Sequence, residues 1–209
     1  MPTERDSNLY SIMHARKSVR VYDPNFKISQ KEIEEIITEA TTAPSSSNLQ
    51  AWKFLVIQDD QTKIELREIA NNQEQVETSS AVIAVLGNAE MYKNVEQIYT
   101  QNVAEGYMDE ATKDIMINNT NRTYPFAPLE ARKNIATFDA GLIAMQLMLV
   151  AKEKGLDTVT MGGFDKVKFA ERFDLPDHIF PIALIALGKA AAPAYGSSRL
   201  PVKDIVQFI

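Results

Sequence analysis

The chain predicts an α+β fold, a sheet with helices laid on its faces, and three observations carry that reading. The run Ala81-Val82-Ile83-Ala84-Val85-Leu86 is continuously apolar and rich in β-branched residues, as a strand covered on both faces must be. Further extended segments at 53–57, 156–161 and 179–188 do not alternate cleanly with helices, which argues against a doubly wound parallel sheet. Long helical patterns fill the second half. At 209 residues and 45% hydrophobic content the chain suits one domain, 1–209, with a sizeable core.

Leu9, Ile12 and Met13 stand at helical spacing and predict a short helix over 9–16, with His14 as a packing residue inside its last turn. That helix delivers Arg16-Lys17-Ser18-Val19-Arg20, three cations and a hydroxyl within five residues. Guanidinium forks and a hydroxyl suit an anion, although the same group also fits a solvated helix end. Val19, Val21 and Tyr22 predict extended backbone before Asp23-Pro24, with Arg20 turned away from the valines. Ser29 and Glu32 form a capping box. The helix it opens carries Ile33, Ile36, Ile37 and Ala40 as one buried stripe.

The loop Ala43-Pro44-Ser45-Ser46-Ser47-Asn48-Leu49-Gln50-Ala51 leads through Trp52, the single tryptophan, into the strand at 53–57. So many donors at a strand mouth make either a recognition element or a solvated linker, and Trp52 anchors the loop in both cases. Asp59-Asp60 opens a helix with Ile64, Leu66, Ile69 and Ala70 on its buried side, closed by the amide run Asn71-Asn72-Gln73-Glu74-Gln75. Amides can match the donors and acceptors of a heterocycle, or simply end a helix.

Residues 89–120 read as two helices broken near Gly106, followed by a proline loop at 123–128 whose Tyr124 and Phe126 can cover a flat ligand or staple the loop down. A long helix over 129–154 stops at Gly155. Phe138, Leu142, Ile143, Met145, Leu147, Met148, Leu149 and Val150 go most of the way round it, as expected of a core helix with one face buried by a second subunit. Gly162-Gly163 either brings backbone N–H groups close to a ligand or makes a plain turn. Asp165 caps a helix through Phe173, and Pro181 sits near the start of the strand at 179–188. The last residues include Ile205, Val206, Phe208 and Ile209, too apolar to hang free.

Composition narrows the chemistry. With no cysteine, disulfides, thiolate metal sites and a Cys nucleophile are excluded, and a reducing, cytoplasmic location is the simplest expectation. His14 and His178 stand apart from each other and from carboxylates at ligand spacing, so no metal site is expected. A net charge of −6, from 22 Lys+Arg against 28 Asp+Glu, argues against nucleic acid and anionic membranes and points to a small-molecule partner. Residues 1–8 lack the apolar core of a signal peptide. The most apolar helical run, 141–151, contains Gln146 and is half the roughly 20 residues of a bilayer span. There is no GxGxxG and no GxxxxGK[ST].

Five pieces, in this order, resemble the FMN-dependent nitroreductase family over nearly the whole chain: R-K-S-V-R, A-P-S-S-S-N-L-Q-A-W before a strand, the amide run before S-S-A-V-I, G-G-F-D after a long apolar helix, and the late S-S-R-L-P. The resemblance implies a nitroreductase-like fold, a mainly antiparallel mixed sheet flanked by helices. It also implies an intertwined homodimer with exchanged C-terminal arms at about 195–209 and two FMN sites lined by both chains. Carried over by position, Arg16, Lys17, Ser18 and Arg20 contact FMN, Arg16 toward the phosphate and ribityl chain and Arg20 toward the pyrimidine side. Ser197 and Arg199 complete the phosphate cradle, and Asn72 and Gln75 meet the pyrimidine edge. Ser45, Ser46 and Asn48 come from the other subunit, and Gly162 and Gly163 place N–H groups near flavin N5.

The implied activity is two-electron, ping-pong transfer from NADH or NADPH to nitroaromatics, quinones or related acceptors, without a catalytic side chain beyond the electrostatic Arg20. Dehalogenation, flavin fragmentation, and a flavin-binding sensor without turnover are the alternatives. Three positions depart from the family pattern. Ala51 replaces a usual Pro, Ser197 and Gln75 replace a Lys found in some members, and Met161-Gly162 replaces a motif that can carry Glu.

Overall fold

The protein is described here from a computed structural model covering residues 8–209; the polar N-terminal segment noted above falls almost wholly outside the described residues. Strands β1 (Trp52–Ile57), β2 (Ala81–Asn88), β3 (Asp157–Met161) and β4 (Ile179–Gly188) pair antiparallel in the order β1-β2-β4-β3. A parallel pairing joins them only as an isolated bridge, Ser18 to Thr158, which makes the sheet mixed at its β3 edge.

Strand side chains alternate faces, and both faces of this sheet are apolar. Ala81, Ile83, Val85, Ile185 and Leu187 enter one core, and Val82, Ala84, Leu86, Leu184 and Ala186 enter the other. Helices α1 (Asn8–Ala15), α2 (Gln30–Ala40), α3 (Asp60–Ile69), α4 (Glu74–Thr78), α5 (Val95–Ala104), α6 (Glu110–Thr123), α7 (Leu129–Glu153) and α8 (Lys166–Arg172) surround it. On the first face α2 and α7 pack through Ile33, Ile36, Ile143 and Leu147. On the second, α3, α4 and α8 pack through Leu66, Val76 and Phe169. A third, smaller core under Leu49, Met91, Val95 and Tyr99 seats α5 beside the N-terminal half of α7.

The helix boundaries follow local chemistry. Ser29 and Glu32 exchange both hydrogen bonds of the capping box at α2, and Asp59, Asp109 and Asp165 cap α3, α6 and α8 by accepting from the first-turn N–H groups of Thr62, of Thr112, and of Val167 and Lys168. α7 runs into Gly155, whose φ of 72° is open to glycine at no steric cost. By length and composition α7 could cross a membrane, yet Ala136, Ala140, Ile143, Ala144, Leu147, Met148 and Ala151 are buried in the protein core. Pro181 lies where β4 has only β2 beside it. There the register slips, with Val85 opposite Ala183 but Leu86 opposite Pro181, so Ile182 is the extra residue of a bulge that accommodates the missing N–H.

Three expectations are corrected. Ile64 is exposed, and the buried side of α3 is taken by Lys63, only 1% exposed. Its ammonium donates to Ser79 O (2.8 Å) and Glu77 O (3.1 Å) and pairs with Asp60 (3.0 Å), so the charge is fully partnered and the aliphatic stem serves as core. Val21 is exposed while Val19 is buried, because the segment twists from β3 toward Ala190, to which Tyr22 bridges. The amide run does more than close a helix: Asn71 and Asn72 adopt left-handed backbone (φ 56° and 57°), and α4 starts at Glu74.

Apolar side chains also remain outside. None of the residues of α1 is buried, with Leu9, Tyr10 and Met13 exposed, and Phe138 (64%) and Met145 (40%) on α7 face outward. Leu200, Val202, Ile205, Phe208 and Ile209 of the tail are exposed as well. Ile185, 0% exposed on a central strand, is the test of the core. Ile185→Ala is expected to lower unfolding free energy by about 2–5 kcal/mol in urea titrations, and a loss under about 1 kcal/mol would contradict the packing described.

Candidate functional site

α1 hands the chain over at Arg16, whose N–H still bonds Ile12 O (2.9 Å). The next residues leave the helix because β3 offers them a free edge: Val19 N–H donates to Thr158 O (3.1 Å). Tyr22 then locks the segment, its hydroxyl donating to Ala186 O (3.2 Å). Burial first, and then the charge of Asp157, push the Tyr22 hydroxyl far above the ordinary tyrosine range, so it stays a neutral donor. After β4 the chain returns past this segment. Arg16, Lys17, Ser18 and Arg20 on one wall and Ser197 and Arg199 on the other line a cleft of about 510 Å³.

Among the described residues, none of these four cations forms an ion pair. Arg20 and Arg199 bond only oxygens of their own segments, Arg20 at Ser18 O (3.3 Å) and Arg199 at Ser197 Oγ (2.8 Å) and Ser198 O (2.7 Å). Arg16 Nε is buried without a partner. Like charges gathered around a cleft repel, and a buried unsatisfied donor is costly. An anion with several acceptor oxygens, such as a phosphate monoester, answers both.

A second group forms where β3 ends. Gly163 O accepts from Asn71 Nδ2 (2.8 Å) and Gln73 Nε2 (3.1 Å), while Gln75 Nε2 donates to Gln73 Oε1 (3.1 Å) and Met161 Sδ (3.4 Å). Asn72 is exposed beside them. Neither Gly162 nor Gly163 has left-handed backbone. A Cβ at Gly162 would meet nothing within 4 Å, and at Gly163 only Asn71 Nδ2 at 3.9 Å. The chain's own packing therefore does not call for glycine here, but a flat ligand lying on the turn would. From Thr158, beside Ser18, to Gly162 the strand spans about 13 Å at roughly 3.3 Å per residue.

The third group is the loop before β1. Ser47, Asn48 and Gln50 hold left-handed backbone (φ 50°, 52° and 50°), a conformation unfavourable for residues with a Cβ unless the surroundings enforce it. The enforcement is visible. Asp139, fully buried on α7, accepts through Oδ1 from Ser46 N (3.0 Å) and Ser46 Oγ (2.8 Å). Tyr99 donates to Ser47 O (2.9 Å), Tyr124 meets Ser47 Oγ (3.0 Å), and Gln50 N–H donates to Ser45 Oγ (3.1 Å).

One chain thus brings Arg16, Lys17, Ser18, Arg20, Ser197 and Arg199 into one cleft, and gathers Gln75, Gly162 and Gly163 with Asn72 at the end of β3. Ser45, Ser46 and Asn48 lie apart, in the loop tied to α7. Sequence reasoning missed Asp139, and it named Asn71 and Gln73 only as members of the amide run. A lone carboxylate inside the apolar stretch of α7 was the available signal for Asp139. Among the described residues no cluster of His, Cys, Asp and Glu could hold a metal ion.

A two-faced antiparallel sheet with an unpaired cationic cleft at its edge and a glycine turn a strand's length away defines an α+β protein built to hold an elongated, anionic small molecule. The model of the nitroreductase family matches residues 13–189, and the chain belongs to that family. It is 40% identical over 203 residues to YodC of Bacillus subtilis (strain 168), named as an NAD(P)H nitroreductase, covering 97% of this chain and 100% of that one. A Staphylococcus epidermidis structure described as an NAD(P)H:FMN oxidoreductase superposes with a TM-score of 0.94 at 40% identity, covering 97% of this chain and 96% of that one. An Exiguobacterium sibiricum structure described as a nitroreductase in complex with FMN gives 0.93 at 42% identity, with 97% and 98% covered.

The loop tether is testable on its own. Asp139→Ala and Ser46→Ala are each expected to speed amide exchange across residues 45–50 about fivefold, as for the loss of roughly 1 kcal/mol of hydrogen bonding. Because Ser46→Ala leaves the Ser46 N–H bond to Asp139 in place, the double variant should exchange no faster than Asp139→Ala alone. Additive effects would contradict a single shared tether.

Proposed function

We propose that this protein is an FMN-dependent NAD(P)H oxidoreductase acting on nitroaromatic, quinone or related acceptors. The observation that carries the reading is the cleft of four cations without counter-charge, with the orphaned Arg16 Nε among them. These donors fit the phosphate of FMN, and the glycine turn fits its ring. Arg16, Lys17, Ser18, Ser197 and Arg199 hold the phosphate and ribityl end. Asn72 and Gln75 serve the pyrimidine edge, and the N–H groups of Gly162 and Gly163 face N5.

When bound, FMN supplies the hydride and electron chemistry that side chains cannot. The chain's own part is placement and electrostatics. Arg20, fixed in advance at the pyrimidine side, stabilises negative charge there without reorganising. A shared open face lets NAD(P)H and the acceptor bind in turn, which gives ping-pong kinetics. No side chain is assigned as general acid, base or nucleophile.

The active form in this reading is a homodimer. The outward apolar faces of α1 and α7 and the apolar arm at about 195–209 are the surfaces a second copy covers, and the partner's Ser45–Asn48 loop completes each site. Phe138→Asp is expected to convert the dimer to monomer in analytical ultracentrifugation and to release the flavin with it; a dimeric variant with full flavin would contradict the assignment of that face.

The cofactor and the reaction are checked together. Purified protein should be yellow, and anaerobic NADH or NADPH should bleach it, with menadione or a nitroaromatic restoring the colour. Colourless protein that FMN cannot reconstitute would overturn the proposal, whereas yellow protein that neither donor bleaches would leave a flavin-binding sensor. Arg20→Ala, saturated with FMN, is expected to lose at least about tenfold in bleaching rate while keeping most of its flavin affinity.

A further inference from the structure

We propose that Asn71 and Gln73 are positioning residues, which clamp the Gly163 carbonyl and so aim the N–H groups of the Gly162-Gly163 turn. The inference rests on the flavin reading above. The two amides are not among the residues carried over from the family pattern, and it is the geometry of this chain that singles them out.

Two consecutive glycines make the most freely hinged dipeptide available to a chain. A donor group that must be aimed at a ligand atom cannot sit on a free hinge, because ordering it at the moment of binding or reaction costs conformational entropy. Upstream, the turn is anchored by Met161, paired with Leu184 in the sheet. Downstream it is held at the Gly163 carbonyl and by Phe164, whose side chain is buried beside Phe169 in the second core. Gly163 O accepts from Asn71 at 2.8 Å and from Gln73 at 3.1 Å, which occupies both lone pairs of that oxygen. Two residues further, Asp165 N–H donates to Ile69 O (3.0 Å). The link between α3 and α4 therefore holds the turn from below, and the two glycines are suspended between fixed points.

The backbone around Asn71 and Asn72 is shaped for this task. Both residues sit at positive φ, which folds the chain back sharply after α3 and brings an amide to each side of the carbonyl. Gln73 spans two duties, donating to Ala70 O (2.9 Å) as well as to Gly163 O, and its Oε1 receives Gln75 Nε2. Gln75 in turn touches Met161 Sδ. The amide run thus closes a ring of contacts from Met161 through Gln75 and Gln73 to Gly163. Through that ring Gln75, assigned to the pyrimidine edge, and the glycine turn, assigned to N5, move as one unit.

The test uses Asn71→Gly and Asn71→Asp, both compatible with left-handed backbone and neither able to donate to the carbonyl, together with Gln73→Met, which keeps length without the amide. Two readouts are needed. In flavin-free protein, amide exchange of a peptide spanning 160–166 should accelerate about fivefold in each variant. In FMN-saturated protein, NADH-driven bleaching should slow about five- to tenfold in each variant; in the two Asn71 variants, which leave the Gln73–Gln75 bond intact, the FMN dissociation constant and KM for NADH should change less than about twofold. Wild-type exchange or wild-type bleaching rates in all three variants would overturn the inference. So would FMN affinity falling in step with the rate in the Asn71 variants, since Asn71 would then hold the cofactor and not aim the turn. A wild-type protein that takes up no FMN overturns the flavin reading, and this inference falls with it. Variants that bind and bleach as the wild type does refute the clamp alone.

Discussion

Unbalanced positive charge in one cleft is the constraint on which the rest of the site depends. An acidic chain has carboxylates to spare, and it spends them elsewhere, on Lys63, Arg67, Lys152 and Arg172. Arg16, Lys17, Arg20 and Arg199 are left without one. Two separate stretches have to converge for this to happen. The N-terminal segment is led off α1 by the open edge of β3, and residues 195–199 return after β4. The buried hydroxyl of Tyr22 on Ala186 O fixes the first stretch to the sheet, so the geometry of the cleft is set by the most rigid part of the fold.

That rigidity comes from a sheet with no polar face. β2 is buried along its whole length, and β4 beside it carries a core on either side. A strand edge therefore has few degrees of freedom, and what hangs from β3 inherits its position. The two ends of β3 carry the two groups: Thr158 supports the cationic segment, and Met161 leads into the glycine turn. The cationic segment and the glycine turn are thus held a fixed strand length apart.

Much of this was legible in the sequence, and the failures are instructive. The all-apolar run at 81–86 announced a doubly covered strand, and Ser29 with Glu32 announced the start of α2, because these signals are local and each obeys one rule. Lys63 carried no sequence signal because its type is normally exposed; only the fold reveals the carbonyls of Glu77 and Ser79 that receive it. Ile64 was misplaced for the same reason, one step round the helix. The cationic segment could be seen at once, but its pairing with Arg199 spans 183 positions from Arg16 and leaves no periodic trace. Asn71 and Gln73 stood in an amide run that could meet a heterocycle or end a helix, since what distinguishes these from an amide that clamps a carbonyl is a contact 90 or more residues away.

Comparison of FMN with riboflavin as ligands of the flavin-free protein tests the central claim most directly, because the two differ only in the phosphate. Charge-assisted hydrogen bonds are each worth about 1.5–3 kcal/mol, so the cleft described here should favour FMN by at least about a hundredfold. That preference should shrink as ionic strength rises. Equal affinity for the two ligands at low salt would contradict the account, since Arg16, Lys17 and Arg199 would then have no phosphate to hold.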